Sequence, residues 1–115
     1  MTINRTKTLL ASSVIGATGQ GAPIDDCRTR GGVAFYLDVS AQSGTTPTLD
    51  VTVEGRDPIS QNWVVVATFT QVAAATGTFR QALASLPETE LRVAYVLGGT
   101  TPSYTFSVSM VAQDD

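Results

Sequence analysis

The chain has 115 residues, a net charge of −3, one cysteine and no histidine. That length predicts a single domain over residues 1–115, able to bury a core without metal or disulfide support. The missing histidine removes the commonest general base and metal ligand, the lone Cys27 excludes an internal disulfide, and the acidic balance argues against a nucleic-acid partner.

A first strand is predicted from about Thr6 to Ile15. Arg5 and Lys7 precede Leu9-Leu10-Ala11-Ser12-Ser13-Val14-Ile15, which imitates a secretory signal, but the apolar run is short and two serines interrupt it. No run approaches the ~20 apolar residues of a membrane span, so a cytosolic product is expected. Residues 16–32 then read as a long glycine-rich loop, in which Ile24 to Arg28 fits either a short strand or a helical turn. Residues 1–32 are a leader of strand plus loop, with Arg5, Lys7, Arg28 and Arg30 against only Asp25 and Asp26. The remainder is acidic.

The sandwich body is expected over 33–112. Its first strand, Val33 to Ala41, turns Phe35, Leu37 and Val39 inward and Tyr36, Asp38 and Ser40 outward. The stretch Ser43-Gly44-Thr45-Thr46-Pro47-Thr48-Leu49-Asp50-Val51-Thr52-Val53 follows, and it returns as Gly98-Gly99-Thr100-Thr101-Pro102-Ser103-Tyr104-Thr105-Phe106-Ser107-Val108. The offset is constant (Gly44 to Gly99, Pro47 to Pro102) and carries Leu49, Val51 and Val53 onto Tyr104, Phe106 and Val108. Each copy predicts a β-hairpin, with Gly-Thr-Thr-Pro as its turn and one buried face on its outgoing strand.

Residues 55–62 read as a turn. Trp63, Val65, Ala67 and Phe69 are the expected inward set of the next strand, with Trp63 as core anchor rather than a sugar platform. Val64 and Val66 lie between them, so cover is expected on both faces. Residues 73–77 fit a loop or one helical turn. A strand from Thr78 to Ala84 is anchored by Phe79 and Leu83, and Pro87 marks a turn. Leu91, Val93, Tyr95 and Leu97 point inward, and a last strand runs from Ser103 to Ala112. The pattern predicts an all-β fold, a seven-stranded antiparallel β-sandwich of immunoglobulin-like or jelly-roll-like type. A small closed barrel is the alternative.

Catalytic chemistry finds little footing. Asp25 and Asp26 are adjacent, so on a strand they face opposite ways. Glu54-Gly55-Arg56-Asp57 reads as a solvated turn, and Asp38 and Asp50 lie outward on neighbouring strands. No Gly-x-Ser-x-Gly elbow is present, Lys7 is the only lysine, and Gly16, Gly19 and Gly21 precede no Lys-Ser/Thr pair that would make a phosphate loop. Neither an enzyme nor a cofactor or metal is expected. Cys27 reads as a small buried hydrophobe.

The strings Leu37-Asp38-Val39-Ser40-Ala41, Gly44 through Pro58, Trp63, Leu91-Arg92-Val93 and Gly98 through Val108 resemble a group of small β-sandwich virion proteins of tailed bacteriophages, of head decoration or minor capsid type. The resemblance covers most of 33–112 and not the leader. It implies a virion component assembled in the host cytoplasm, most simply a capsid decoration (cement) protein that bridges major capsid subunits and self-associates. A tail or head–tail joining protein is the alternative, and a carbohydrate-binding module with Trp63 and Tyr36 exposed is the rival from another class. Such proteins act by surfaces, so no functional residue transfers. The glycines and local positive charge of the leader make Arg5, Lys7, Gly19, Gly21, Arg28 and Arg30 the expected contacts with a shell or a neighbouring copy, weakened by salt as exposed charges are screened.

Overall fold

The computed structural model describes residues 3–114. They form strands β1 (Ile3–Ile15), β2 (Gly19–Gln20), β3 (Val33–Arg56), β4 (Trp63–Thr68), β5 (Val72–Ala73), β6 (Gly77–Leu83) and β7 (Leu91–Asp114), all paired antiparallel. The long strands β3 and β7 lie side by side from the Val33–Ala112 pair to the Gly55–Leu91 pair. β1 and β6 flank one half of this ribbon, and β2, β4 and β5 flank the other. Folded over at its middle, the sheet brings the two halves face to face as the layers of a β-sandwich. The all-β antiparallel fold read from the alternation is the one adopted.

The two hairpins are not formed. Ser43 to Pro47 and Gly98 to Pro102 do not reverse the chain; each bends a continuous strand from one layer into the other. The repeated segments pair with each other, through Ser43–Ser103, Thr45–Thr100 and Thr48–Gly98, with register shifts between those pairs. Gly44 and Thr46 have φ of 116° and 46°, and Gly99 and Thr101 have 100° and 47°. A sharp bend needs left-handed residues just as a turn does, so the same composition serves both. Glycine is required for a second reason. A Cβ on Gly44 would lie 2.7 Å from the Thr101 carbonyl oxygen, and one on Gly99 would lie 2.5 Å from that of Thr46.

Alternation holds on both sides of the bend. Phe35, Leu37, Val39, Leu49, Val51 and Val53 of β3 are buried, as are Leu91, Val93, Tyr104, Phe106, Val108 and Met110 of β7. The layers are tied by specific contacts as well as by area. The Tyr104 hydroxyl donates to the Pro47 carbonyl at 2.9 Å and accepts the Ala74 N–H at 3.2 Å. The Tyr95 ring meets Phe106 edge-on, with centroids 5.7 Å apart.

β4 departs from expectation. A register shift follows the Val53–Ala67 pair, since Glu54 pairs with Val65, and Val66 is the extra residue. A bulge of this kind reverses the parity of the strand beyond it. Ala67 stays inward and Val66 packs on the core, while Trp63 shares the outer face with its partner Arg56. Trp63 is therefore half-buried outside the core, and Val64 and Val65 are exposed instead of covered. The stretch expected as a loop, residues 16–32, adds β2 and two isolated bridges, Ile24–Leu91 and Thr29–Leu86.

Gly44→Ala and Gly99→Ala are each expected to cost about 2–4 kcal/mol, combining left-handed strain with overlap. Gly16→Ala should stay within about 0.5 kcal/mol, because its Cβ would meet nothing nearer than 3.6 Å. Urea melts of the three variants check this.

Candidate functional site

The leader's cations divide into two kinds. Arg5 and Lys7 stand opposite Ala112 and Met110, whose side chains are buried between the layers. Both cations are half-buried at that end of the sandwich and bond to carbonyls of the 25–28 segment. Arg5 donates to Asp26 at 3.1 Å and to Arg28 at 2.7 Å, and Lys7 donates to Asp25. Their charge is engaged within the chain. Gly21 permits close packing, since a Cβ there would lie 3.0 Å from Leu10 Cδ1, whereas one on Gly19 would make only ordinary contact, 3.5 Å from the Tyr95 ring.

Arg28 and Arg30 are placed differently. Between them Thr29 is buried, bridged to Leu86, with its hydroxyl donating to the Gln113 carbonyl at 2.8 Å. Neighbours of an inward residue on an extended segment point outward, so both arginines are exposed on one side. Ser85 and Pro87 flank buried Leu86 in the same way, and the four line a shallow hollow of about 260 Å³. No ion pair forms between either arginine and a carboxylate among the described residues.

The next residues along both segments line a second hollow, of about 300 Å³, in which Ala34, Tyr36, Ala82 and Val111 form an apolar trough on an outer face. A basic rim beside an apolar floor with a tyrosine has the composition of a protein-binding patch. The structure brings Arg28 and Arg30 together there, with Arg5 and Lys7 behind them as supports. Ser85, Ala82 and Val111 were missed as site residues, and Tyr36 was singled out only for the carbohydrate-binding alternative. Only the outward position of Tyr36 was visible in the alternation.

Trp63 heads a separate cluster on the opposite outer face. The Arg92 guanidinium lies over its ring at 4.4 Å and that of Arg56 at 5.7 Å. Glu54 holds Arg92 at 2.6 Å, and Glu90 holds Arg56 at 3.1 Å. Cys27 is fully buried, and desolvation pushes its thiol up from 9.0, against the lowering effect of Lys7 and Arg5. Among the described residues, no group of three or more Cys, Asp or Glu side chains is placed to hold a metal ion.

No protein-family model matches the chain, and no curated protein matches its sequence. Solved structures do share the fold. The SPBc2 prophage-derived protein YomS is 9% identical at a TM-score of 0.53, over 99% of this chain and 96% of that one. The VP2 subviral particle of infectious bursal disease virus gives 16% identity and 0.54, over 98% of this chain and 32% of that one. The CBM22-1–GH10 modules of xylanase 10B from Clostridium thermocellum give 14% and 0.57, over 96% of this chain and 26% of that one. At such identities the likeness is one of fold.

Trp63→Ala should cost about 1–2 kcal/mol, the loss of cation–π contact and partial packing, against about 3–5 kcal/mol for Phe106→Ala in the core. Denaturant melts followed by circular dichroism measure both. Cys27 should resist an aromatic disulfide reagent at pH 8 in the folded protein and react at once in urea.

Proposed function

We propose that the protein is a structural component of a tailed-phage virion, a capsid decoration protein that docks on the shell through the Arg28–Arg30 rim and the adjoining Tyr36 trough. The observation that carries this reading is the fold shared with a prophage-derived protein across nearly the whole of both chains. The VP2 likeness adds a second viral protein with the same layered architecture. Exposed arginines that pair with no carboxylate among the described residues suit an acidic shell surface, and the trough supplies apolar area beside them. Major capsid subunits are the partner, and the virion is the location.

A carbohydrate-binding role has one specific observation in its favour, the half-exposed Trp63 on an outer face beside the xylanase-module likeness. It is weakened by two others. Arg92 already lies over the indole, and Tyr36 sits on the opposite outer face, so the two rings do not line one cleft.

Binding to particles stripped of the protein is the direct test, read by co-sedimentation. Arg28→Glu combined with Arg30→Glu should fold as wild type and lose at least about tenfold in affinity, about 1.4 kcal/mol. Wild-type binding should weaken between about 50 and 500 mM salt. Full occupancy by the double variant, or absence of the protein from purified virions, overturns the reading. Retention on xylohexaose that Trp63→Ala abolishes would favour the glycan alternative.

A further inference from the structure

The hydrogen-bonded ladders have a division that composition does not show. Taking β1, β2 and β3 as a first half and β4 to β7 as a second, every ladder joins one half to the other: β1 and β2 to β7, and β3 to β4, β5, β6 and β7. Both isolated bridges do the same. No strand pairs within its own half among the described residues.

The two halves are also alike. β1 lies along the C-terminal part of β7 as β4 and β5 lie along the C-terminal part of β3, and β2 and β6 take matching places on the N-terminal parts. Exchanging the halves at the Gly44–Gly99 offset maps Thr45–Thr100 onto itself. It also turns Ser43–Ser103 into Thr48–Gly98, and Gln42–Tyr104 into Leu49–Leu97. A short sequence echo accompanies this, Ala17-Thr18-Gly19 entering β2 and Ala75-Thr76-Gly77 entering β6. The molecule is a pair of interlocked half-units joined by residues 57–62.

Neither half satisfies its backbone hydrogen bonds alone, so folding is the association of two halves. Whether the complementary half comes from the same chain depends on the effective concentration that the linker supplies. We propose that two copies of this chain associate by exchanging halves about residues 57–62, each first half completing its sandwich with the second half of the other copy. All ladders survive the exchange, and only the linker changes. In the closed chain it is held by Asp57, whose carboxylate accepts from the Ile59 N–H and the Ser60 hydroxyl, and by the Asp57 N–H bond to the Asn62 carbonyl. Gln61 there is left-handed, with φ 67°, a strain that an extended linker releases. Six extended residues reach about 20 Å. The exchange does not depend on the shell-binding reading.

Asp38→Cys with Thr78→Cys reports the exchange in the full chain, since these residues are cross-strand partners in different halves with side chains in contact. After refolding under reductant and then oxidation, dilute protein should give single chains on a non-reducing gel. Refolding at rising concentration, from about 1 µM to about 1 mM, should raise the covalent dimer from under about a tenth to more than about half. In the same background, removal of residues 57–62 leaves no loop to reverse the chain and should yield only covalent dimer. Dimers that run as single chains after oxidation, or an intact chain that stays monomeric throughout the series, overturn the proposal. Should the linker-less chain fail to fold, the intact-chain series decides alone.

Discussion

The crossing of β3 and β7 is the constraint on which the rest of the structure depends. Each long strand serves both layers, so its inward residues must face the core before and after the bend. Gly44 and Thr46 on one strand, and Gly99 and Thr101 on the other, supply the left-handed residues that achieve this. Because the two bends pair with each other, neither can relax independently. The buried sets on either side, Phe35 to Val39 and Leu49 to Val53, remain one core only while that geometry holds. The pairing is also distant in sequence, as with Val33 and Ala112, which places the protein among slow-folding topologies.

Charge is distributed to fit this architecture. Arg5 and Lys7 tie the 25–28 segment over the open end, and Arg56 and Arg92 pair with Glu90 and Glu54 beside Trp63. The more exposed Arg56–Glu90 pair fixes guanidinium orientation more than it adds stability, while the Arg92–Glu54 pair is mostly buried. Arg28 and Arg30 remain outward because Thr29 between them is drawn inward by its bridge to Leu86. The presentation of the two arginines thus follows from the burial of one threonine.

Period-two alternation made much of the fold legible, because a strand with one buried face must be apolar at every second place. It correctly assigned Phe35, Leu37, Val39, Leu49, Val51, Val53, Tyr104, Phe106 and Val108 to the core. It failed where one composition serves two geometries. Gly-Thr-Thr-Pro satisfies a hairpin turn and a strand crossing equally, and only the partner strand distinguishes them. At Trp63 the fault was parity. The bulge at Val66 lies within Val64-Val65-Val66, a run in which no substitution pattern marks the extra residue. In the leader, charge was visible but its use was not, since Arg5 and Lys7 are directed by backbone carbonyls brought near by folding.

The internal repeat connects stability to assembly. A chain whose two halves pair only with each other is held together by complementarity between halves, and residues 57–62 decide how often that complement is its own. A short linker favours closure within the chain by effective concentration alone. Lengthening it weakens that preference slowly, and removing it abolishes closure. An exchanged dimer would carry two sandwiches and hence two Arg28–Arg30 rims on one interlaced body. Solvent-exposed charge contacts are individually modest and screened by salt, so a surface that relies on them gains most from being presented twice. If the proposed rim docks on a shell, bivalence would supply through geometry the retention that one basic rim and a shallow trough lack, with the proposed half-exchange and docking face remaining separately adjustable.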